Sequence, residues 1–251
     1  MPPSECGVFK ISRAHARTMV KRKHPMTDLT DEDKDDGEPT AQRAMLFAQP
    51  GRLNIDLHVA VAQQRPKKVR AIIDAGADVN SQWIEGRTPL HLTAEVGRNL
   101  EIVRYLIEAG ADLNAEVPYT RDPHLDPGGV TPLHVSAQYG NLEMMRYLIE
   151  KGADMNSKDQ NGRTPLHASA DEGHLKVVKY LFRKGADVNS KCNDGESPLD
   201  NSIYWGHLKV AKYLMKKGAN LAGYSSERIA DLISQGRRRR KLERPRRLGE
   251  I

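Results

Sequence analysis

Cysteine is nearly absent from this chain of 251 residues, which holds only Cys6 and Cys192. Two thiols so far apart in sequence do not make a disulfide framework, so a reducing compartment is expected. No apolar run approaches the length that crosses a bilayer, and residues 1–24 lack the apolar stretch of a secretory signal peptide. We therefore expect a cytoplasmic and/or nuclear protein without a membrane span. Residues 8–24, which are basic and nearly free of acids, leave a mitochondrial presequence as an alternative.

The sequence also lacks the short motifs of common catalytic and metal sites. It has no GxSxG, no glycine-rich phosphate loop and no HExxH, and no Cys-x-x-Cys or His-x-x-x-His pair that would suit zinc. Isolated Ser, His and Asp residues are plentiful, but they recur at a fixed period along the chain. We therefore predict no catalytic residue, no metal site and no cofactor, and we expect that the protein is not an enzyme.

Charge divides the chain into three regions. Residues 1–50 carry eight basic and eight acidic groups, and residues 51–235 carry 23 of each. Residues 236–251 carry eight basic and two acidic groups, which accounts for the net charge of +6. Within the first region, residues 28–38 hold seven acidic groups and one Lys. Because blocks of like charge repel and bury little apolar surface, residues 1–50 are predicted to be a disordered charged arm and residues 236–251 a basic tail.

The middle region repeats itself. Three segments begin with GRTPLH, GVTPLH and GRTPLH and end with GADLN, GADMN and GADVN, and a fourth begins with GESPLD. Thr131 and Thr164 are 33 residues apart, as are Thr164 and Ser197, whereas Thr88 and Thr131 are 43 apart because a Pro- and Gly-rich loop intervenes. A weaker copy at 57–80 keeps the GADVN ending. We count five repeats, of which the first is degenerate.

Each repeat carries the signals of two short helices. A Thr or Ser hydroxyl can cap the first helix, and the Pro that follows suits the first helical position. A glycine then ends each helix in a left-handed turn. Such short helices cannot bury their apolar faces alone, so neighbouring copies must stack. We therefore expect one all-α repeat solenoid over residues 51–235, with a final capping helix at residues 225–235.

The TPLHxxA start, the GADVN-type end and the 33-residue step resemble ankyrin repeats over roughly residues 51–222. The resemblance implies a helix-turn-helix stack of L-shaped units, each followed by a loop that projects as a β-hairpin. It also implies a concave face, lined by hairpin tips and first helices, that binds proteins. The end repeats depart from the pattern, since repeat one has Ile55-Asp56-Leu57-His58 and repeat five has SPLD at this motif.

The resemblance also places candidate partner-binding residues. In the ankyrin pattern, the variable surface positions flank the central hairpin glycine and close the first helix. On this chain those positions are Ile84, Glu85, Arg87, Glu95, Val96, Pro127, Val130, Gln138, Tyr139, Gln160, Asn161, Arg163, Asp171, Glu172, Asn193, Asp194, Glu196, Tyr204 and Trp205.

Three of these candidates are aromatic, although aromatic residues make up only 5% of the chain. Because large aromatics are common binding anchors, we hypothesise an aromatic patch of Tyr139, Tyr204 and Trp205 with the acidic pair Asp171-Glu172 between its members. The alternative is that Trp205 packs under the C-terminal cap.

Histidine invites a metal-site interpretation, because the chain has nine and four of them recur once per repeat. A spacing of 33 residues in a stack keeps their rings too far apart to share a metal. We expect each of the four to bridge backbone or hydroxyl groups near its cap. They are His58, His91, His134 and His167.

The two ends of the array differ in charge. Residues 74–126 carry ten acidic and four basic groups, whereas residues 176–217 carry nine basic and four acidic groups. We expect the basic end to be a solvated face, with docking of an acidic partner as the alternative. The resemblance assigns to its convex side Lys176, Lys179, Lys209, Lys212 and Lys216.

These features favour a monomeric protein-binding scaffold or regulatory adaptor that holds another protein in the concave groove. The alternative is a nucleic-acid-associated or nuclear regulatory protein that acts through the tail, including a role like that of the ankyrin-type inhibitors of Rel transcription factors. The tail is interpreted first as a nuclear-import signal, and the alternatives are a patch that binds nucleic acid or anionic lipid and a tail that only solubilises the chain. Its basic run consists of Arg237, Arg238, Arg239, Arg240 and Lys241.

Overall fold

The computed structural model describes residues 50–83, 86–96, 99–118, 128–221, 224, 231–232 and 234–235. Within these ranges ten α-helices form five successive pairs. First helices pack against first helices of the neighbouring pair, and second helices against second helices, so the pairs form a stack. The helices are α1 Pro50–Ala62, α2 Pro66–Asp74, α3 Pro89–Val96, α4 Leu100–Glu108, α5 Pro132–Gln138, α6 Leu142–Glu150, α7 Pro165–Asp171, α8 Leu175–Lys184, α9 Pro198–Tyr204 and α10 Leu208–Lys216.

The first helix of each later pair begins as the sequence predicts. Helix α5 starts at the Pro that follows Thr131, whose hydroxyl accepts from the His134 backbone N–H while the His134 ring accepts from the Thr131 N–H. Ser197 and Asp200 form the same reciprocal box at the start of α9. Such a box satisfies two backbone donors that a helix N-terminus otherwise leaves without a partner. The predicted caps are therefore confirmed in these repeats.

The core is built from leucines at equivalent positions of successive repeats. Each side chain is at most 1% exposed, so stacking covers the apolar face that a single pair would leave in water. The first helices contribute Leu90, Leu133, Leu166 and Leu199, and the second helices contribute Leu106, Leu148, Leu181 and Leu214.

The loop before each first helix is a hairpin turn and not a pair of regular strands. In repeat four the Asp159 N–H donates to the Arg163 carbonyl at 2.9 Å, and the Gly162 N–H donates back to Asp159 at 2.8 Å. In repeat five the Cys192 N–H donates to the Glu196 carbonyl at 3.0 Å. Because only a few backbone hydrogen bonds close each turn, the described part of the chain contains no regular β-strand.

Asparagine side chains tie several of these loops to the neighbouring repeat. The amide oxygens of Asn80, Asn114 and Asn189 each accept from a backbone N–H one repeat along the stack, which fixes these loops relative to one another, whereas Asn54 accepts from Asp78 within repeat one. The acceptor and donor pairs are Asn54 and Asp78 at 2.9 Å, Asn80 and Asp112 at 2.8 Å, Asn114 and Asp154 at 2.9 Å, and Asn189 and Asn220 at 2.7 Å.

The expected disordered arm, apart from Pro50, and the basic tail lie outside the described residues. Of the predicted capping helix, residues 231–232 and 234–235 are helical. Among the described helices, none combines the length and the apolar character that crossing a bilayer requires.

Candidate binding face

The hairpin turns and the ends of the first helices form one surface, which we call the hairpin face. Its turns are joined to one another through the backbone. The Gln160 N–H donates to the Gly128 carbonyl at 3.1 Å, and the Asn193 N–H donates to the Asn161 carbonyl at 2.9 Å. The Asn193 side-chain amide adds a bond of 2.8 Å to the Gln160 carbonyl. The tips of repeats three, four and five are therefore held in a fixed row.

Several candidate residues do present side chains on this face. Asn193 and Asp194 are exposed at the tip of repeat five, Gln160 is exposed at the tip of repeat four, and Val96 is 38% exposed at the end of α3. Half-buried candidates are Gln138, Tyr139, Asn161, Asp171, Glu172, Glu196 and Tyr204. Val130 is only 6% exposed, so the expectation that its side chain lies on the variable surface is wrong. Outside the described residues lie Ile84, Glu85 and Pro127.

The arginine candidates, in contrast, are buried. Arg87 is 5% exposed, and its guanidinium lies 3.0 Å from the Glu95 carboxylate. Arg163 is 7% exposed and forms an ion pair with Asp171. The residue before the cap and the residue at the end of the first helix face each other across the turn, so opposite charges at these positions pair. The expectation that Arg87, Glu95 and Arg163 lie on the variable surface is therefore wrong. Asp171, in contrast, is half-buried.

The first of these pairs extends into the next repeat. The Tyr139 hydroxyl donates to the second oxygen of Glu95 at 3.2 Å, which links the end of α5 to the end of α3. A carboxylate that receives both bonds is well compensated for its burial. The equivalent positions in repeat three are Val130 and Gln138, so no charge pair exists there.

Trp205 does not present its ring to solvent. It is only 4% exposed, and its ring meets Tyr204 edge-on at 5.1 Å between centroids. The hypothesised aromatic patch therefore exposes only parts of Tyr139 and Tyr204. A binding role for either tyrosine stays a prediction.

Carboxylates dominate the electrostatics at the repeat-five end of the face. Burial raises the pKa of Glu196, and the nearby carboxylates of Asp200, Asp171 and Asp194 raise it further, against the pull of Arg163. Lys191 approaches Asp200 at 3.4 Å but is itself exposed. This end of the hairpin face therefore has an excess of negative charge.

Comparison with known protein families supports the fold. The family profile described as "Ankyrin repeats (3 copies)" matches residues 57–159 and 152–223. The chain belongs to the ankyrin repeat family. It is also 39% identical over 74 residues to Neurogenic locus notch homolog protein 2 of Homo sapiens and of Mus musculus, a match that covers 26% of this chain. The chain spans 3% of the length of these relatives. Its ankyrin repeats form a protein–protein interaction module.

The repeat histidines of this ankyrin stack bridge backbone and hydroxyl groups, as the sequence predicts. His91 accepts from the Thr88 hydroxyl at 2.8 Å and donates through Nε2 to the Val130 carbonyl of the next repeat at 3.0 Å. His167 does the same with Thr164 at 2.9 Å and Glu196 at 3.2 Å. Within the described ranges no cluster of His, Cys, Asp or Glu has a geometry that would hold a metal ion.

Burial sets the protonation state of these rings. Desolvation lowers the pKa of His91, His134 and His167 to about 4 in each case, because the charged imidazolium is disfavoured away from water. The pKa of His58 is also lowered, and for the same main reason. The rings of His91, His134 and His167 are therefore neutral at pH 7, which matches their role as donor on one nitrogen and acceptor on the other. His58 differs, because both of its ring nitrogens face backbone carbonyl oxygens, those of Asn54 at 2.7 Å and Arg87 at 3.3 Å.

Sequence reasoning missed a row of cation–π contacts between the second helices of the ankyrin units. Each Tyr ring lies beneath a basic group of the preceding repeat, a contact worth about 0.5–1 kcal/mol at an exposed site. The sequence feature that could have revealed these contacts is an Arg-Tyr or Lys-Tyr dipeptide, which occurs in the second helix of every repeat except the first. The contacts are Arg70 over Tyr105 at 5.4 Å, Arg104 over Tyr147 at 5.8 Å, Arg146 over Tyr180 at 5.9 Å and Lys179 over Tyr213 at 5.6 Å.

Proposed function

We propose that this chain is a monomeric, non-enzymatic regulatory adaptor that binds one protein partner through the hairpin face of repeats four and five. The observation that carries the proposal is the row of joined hairpin tips. Its backbone bonds leave Gln160, Asn193 and Asp194 exposed on a surface that is already ordered. A surface whose loops are fixed before binding loses little conformational entropy when a partner docks.

The charge of the face indicates what the partner offers. Asp194 is exposed, Glu172 is half-buried, and the raised pKa of Glu196 reflects its burial and the carboxylates around it. A cationic group placed between these carboxylates would reduce their mutual repulsion. We therefore expect the partner to present Lys or Arg at this end, with an apolar group against the half-buried Tyr204.

Charge reversal on the two faces tests the proposal. Asp194→Lys changes the hairpin face, and Glu108→Lys makes the same change at an exposed position at the end of α4. Both variants and the wild-type chain would be used to purify partners from extract of the native source. A partner that binds the wild type and Glu108→Lys, but binds Asp194→Lys at least about tenfold more weakly, supports the proposal, since a close charge pair contributes about 1.5–7 kcal/mol.

Tyr204→Ala provides a second variant of the same face. Because Tyr204 meets Trp205, its thermal unfolding must be compared with that of the wild type before binding is interpreted. Weaker capture by a variant that remains folded supports a contact at this tyrosine. Equal capture by the wild type, Asp194→Lys and Tyr204→Ala would contradict binding through this face.

The arginine-rich tail carries a separate proposal for location. Residues 236–251 hold eight basic groups, of which five are consecutive, and such runs suit an import receptor or an anionic surface. We propose nuclear import through this run. Unchanged nuclear accumulation after deletion of residues 236–251 would contradict import, and a partner lost only in this deletion would place binding in the tail.

A further inference from the structure

The outer surface of the second helices changes the sign of its charge at equivalent positions. The second residue of the helix is Glu101 in α4 and Glu143 in α6, but Lys176 in α8 and Lys209 in α10. Seven positions later the residues are Glu108 and Glu150, then Arg183 and Lys216, and all eight side chains are exposed. Because the same scaffold position accepts either sign, packing does not dictate the lysines of α8 and α10.

Local helix electrostatics account for Arg183 and Lys216 in the last turns of these helices, but not for the lysines in the first turns. Lys176 and Lys209 lie in the first turn of their helices, where the helix dipole favours acidic residues. Neither they nor Lys216 form an ion pair with any described residue. The segments 175–186 and 208–219 together hold eight basic groups and no acidic group. This basic surface, which we call the α8–α10 patch, therefore concentrates positive charge that nothing within the described residues neutralises.

The chain itself holds a segment of opposite charge. Residues 28–38 carry seven acidic groups and one Lys, and they lie outside the described residues. We propose that this acidic segment docks on the α8–α10 patch of its own chain and shields it from acidic partners. The inference is independent of the proposed function, because the α8–α10 patch shares no residue with the hairpin face.

The connection is long enough for this contact. Twelve residues lead from Glu38 to Pro50, where α1 begins, and an extended chain of that length spans roughly 40 Å. Repeats one and four are three steps apart, which is roughly 30 Å for helices packed 8–10 Å apart. Because tethering raises the effective concentration of the segment to the millimolar range, about 1 mM, modest charge attraction suffices.

The size of the α8–α10 patch favours a short occupant over a long polyanion. A nucleic-acid duplex lying along the stack would meet the glutamates of α4 and α6 directly beside the patch. A bilayer surface would meet them as well, since all these side chains are exposed on the same outer surface. An acidic segment of 11 residues can stay over two helices and avoid that repulsion.

Zero-length carbodiimide crosslinking of the full chain at low salt tests the proposal, because this reagent joins a carboxylate to a Lys amine in direct contact. Links from residues 28–38 to Lys176, Lys209, Lys212 or Lys216 are expected in the monomeric fraction, and they should disappear at molar salt, where charges are screened within about 3 Å. The matched lysines are Lys67 and Lys68 of α2, which are exposed and are the first lysines after the arm in the sequence.

Two variants complete the test. Lys176→Ser/Lys209→Ser should abolish the links to the remaining Lys212 and Lys216, whereas Lys67→Ser/Lys68→Ser should leave them unchanged. Links spread evenly over all lysines, or concentrated on Lys67 and Lys68, would overturn the proposal. Links found only in a dimeric fraction would also overturn it, because the occupant would then be a second copy of the chain.

Discussion

The imidazole of His134 joins two repeats: its Nε2 lies 3.0 Å from the carbonyl oxygen of Arg163, in the hairpin of the next repeat. Because a carbonyl only accepts, Nε2 carries the proton, and Nδ1 is left to accept from the Thr131 hydroxyl at 2.9 Å. Protonation of Nδ1 would break the cap contact. The stack is therefore built on neutral histidines.

Acid should loosen the array within a defined pH window. His91, His134 and His167 have a pKa of about 4 in the folded protein, against 6.5 for an ordinary exposed imidazole. Below pH 6.5 the unfolded chain binds protons at these histidines that the folded chain does not. The free energy of unfolding therefore decreases as the pH is lowered from 6.5 to about 4. Above pH 6.5 these histidines cause no further change in stability. Each ring contributes at most about 3 kcal/mol. Urea unfolding at pH values from 7 to 4 measures the slope, and His134→Gln should be less stable at pH 7 and show a shallower slope.

Truncation of one core leucine should weaken the whole stack. Leu166 is 1% exposed, so Leu166→Ala removes buried methyl groups and leaves a cavity at a cost of roughly 2–5 kcal/mol. Leu221 is 40% exposed, and Leu221→Ala should change the free energy of unfolding by less than about 0.5 kcal/mol. Chemical denaturation of both variants provides the measurement. Equal effects would show that burial at Leu166 is not what stabilises this repeat.

The buried ion pair between Arg163 and Asp171 should be sensitive to the loss of one partner. Arg163→Met leaves the Asp171 carboxylate without its main countercharge and should destabilise by roughly 3–5 kcal/mol, whereas Arg163→Met/Asp171→Leu should recover most of this loss. Lys191→Met removes an ion pair in which the Lys side chain is 53% exposed, at a cost below about 1 kcal/mol. A double-mutant cycle by thermal or urea unfolding checks the coupling, and additive effects would contradict it.

Two glycines with similar backbone angles should respond differently to alanine. Gly173 has φ of +75° and a Cβ there would lie 2.1 Å from Nδ1 of His207, whereas Gly185 has φ of +99° and open space around it. Gly185→Ala should cost about 1–2 kcal/mol from its left-handed backbone alone. Gly173→Ala should cost more, because His207 must move and lose its 2.7 Å bond to the Asp171 carbonyl.

The steric part of this effect can be separated from the backbone part. In a His207→Ala background, Gly173→Ala should cost no more than Gly185→Ala does in the wild type. An unchanged excess cost would contradict the contact. Unfolding free energies of the four variants settle the comparison.

Much of the fold follows from local sequence. The Thr-Pro dipeptide at residues 131–132 starts a helix, Gly140 ends it, and the 33-residue period brings identical apolar faces together, since short helices must stack to bury them. The bridging role of His134 was also predictable, because a histidine that recurs with its cap has the same neighbours in every copy. The ankyrin pattern also predicted which residues flank the tip of each hairpin.

The candidate site was less predictable, because exposure depends on what faces a residue across the turn. The ankyrin pattern assigned Arg163 and Trp205 to the surface, but Arg163 is buried by its pairing with Asp171, and Trp205 is buried beside Tyr204. Residues eight apart meet only when the hairpin and the helix fold back on each other. No periodicity of a single element reveals such a contact.

The sequence by itself determined the repeat number, the helix ends and the bridging histidines, because these depend on short-range caps and on a period that every copy shares. Only the tertiary structure decided which candidate side chains reach solvent, and that Lys179 of one repeat covers Tyr213 of the next. The first outcome depends on contacts across the turn within a repeat, such as that of Arg163 with Asp171. The second depends on which residue the neighbouring repeat has at the facing position.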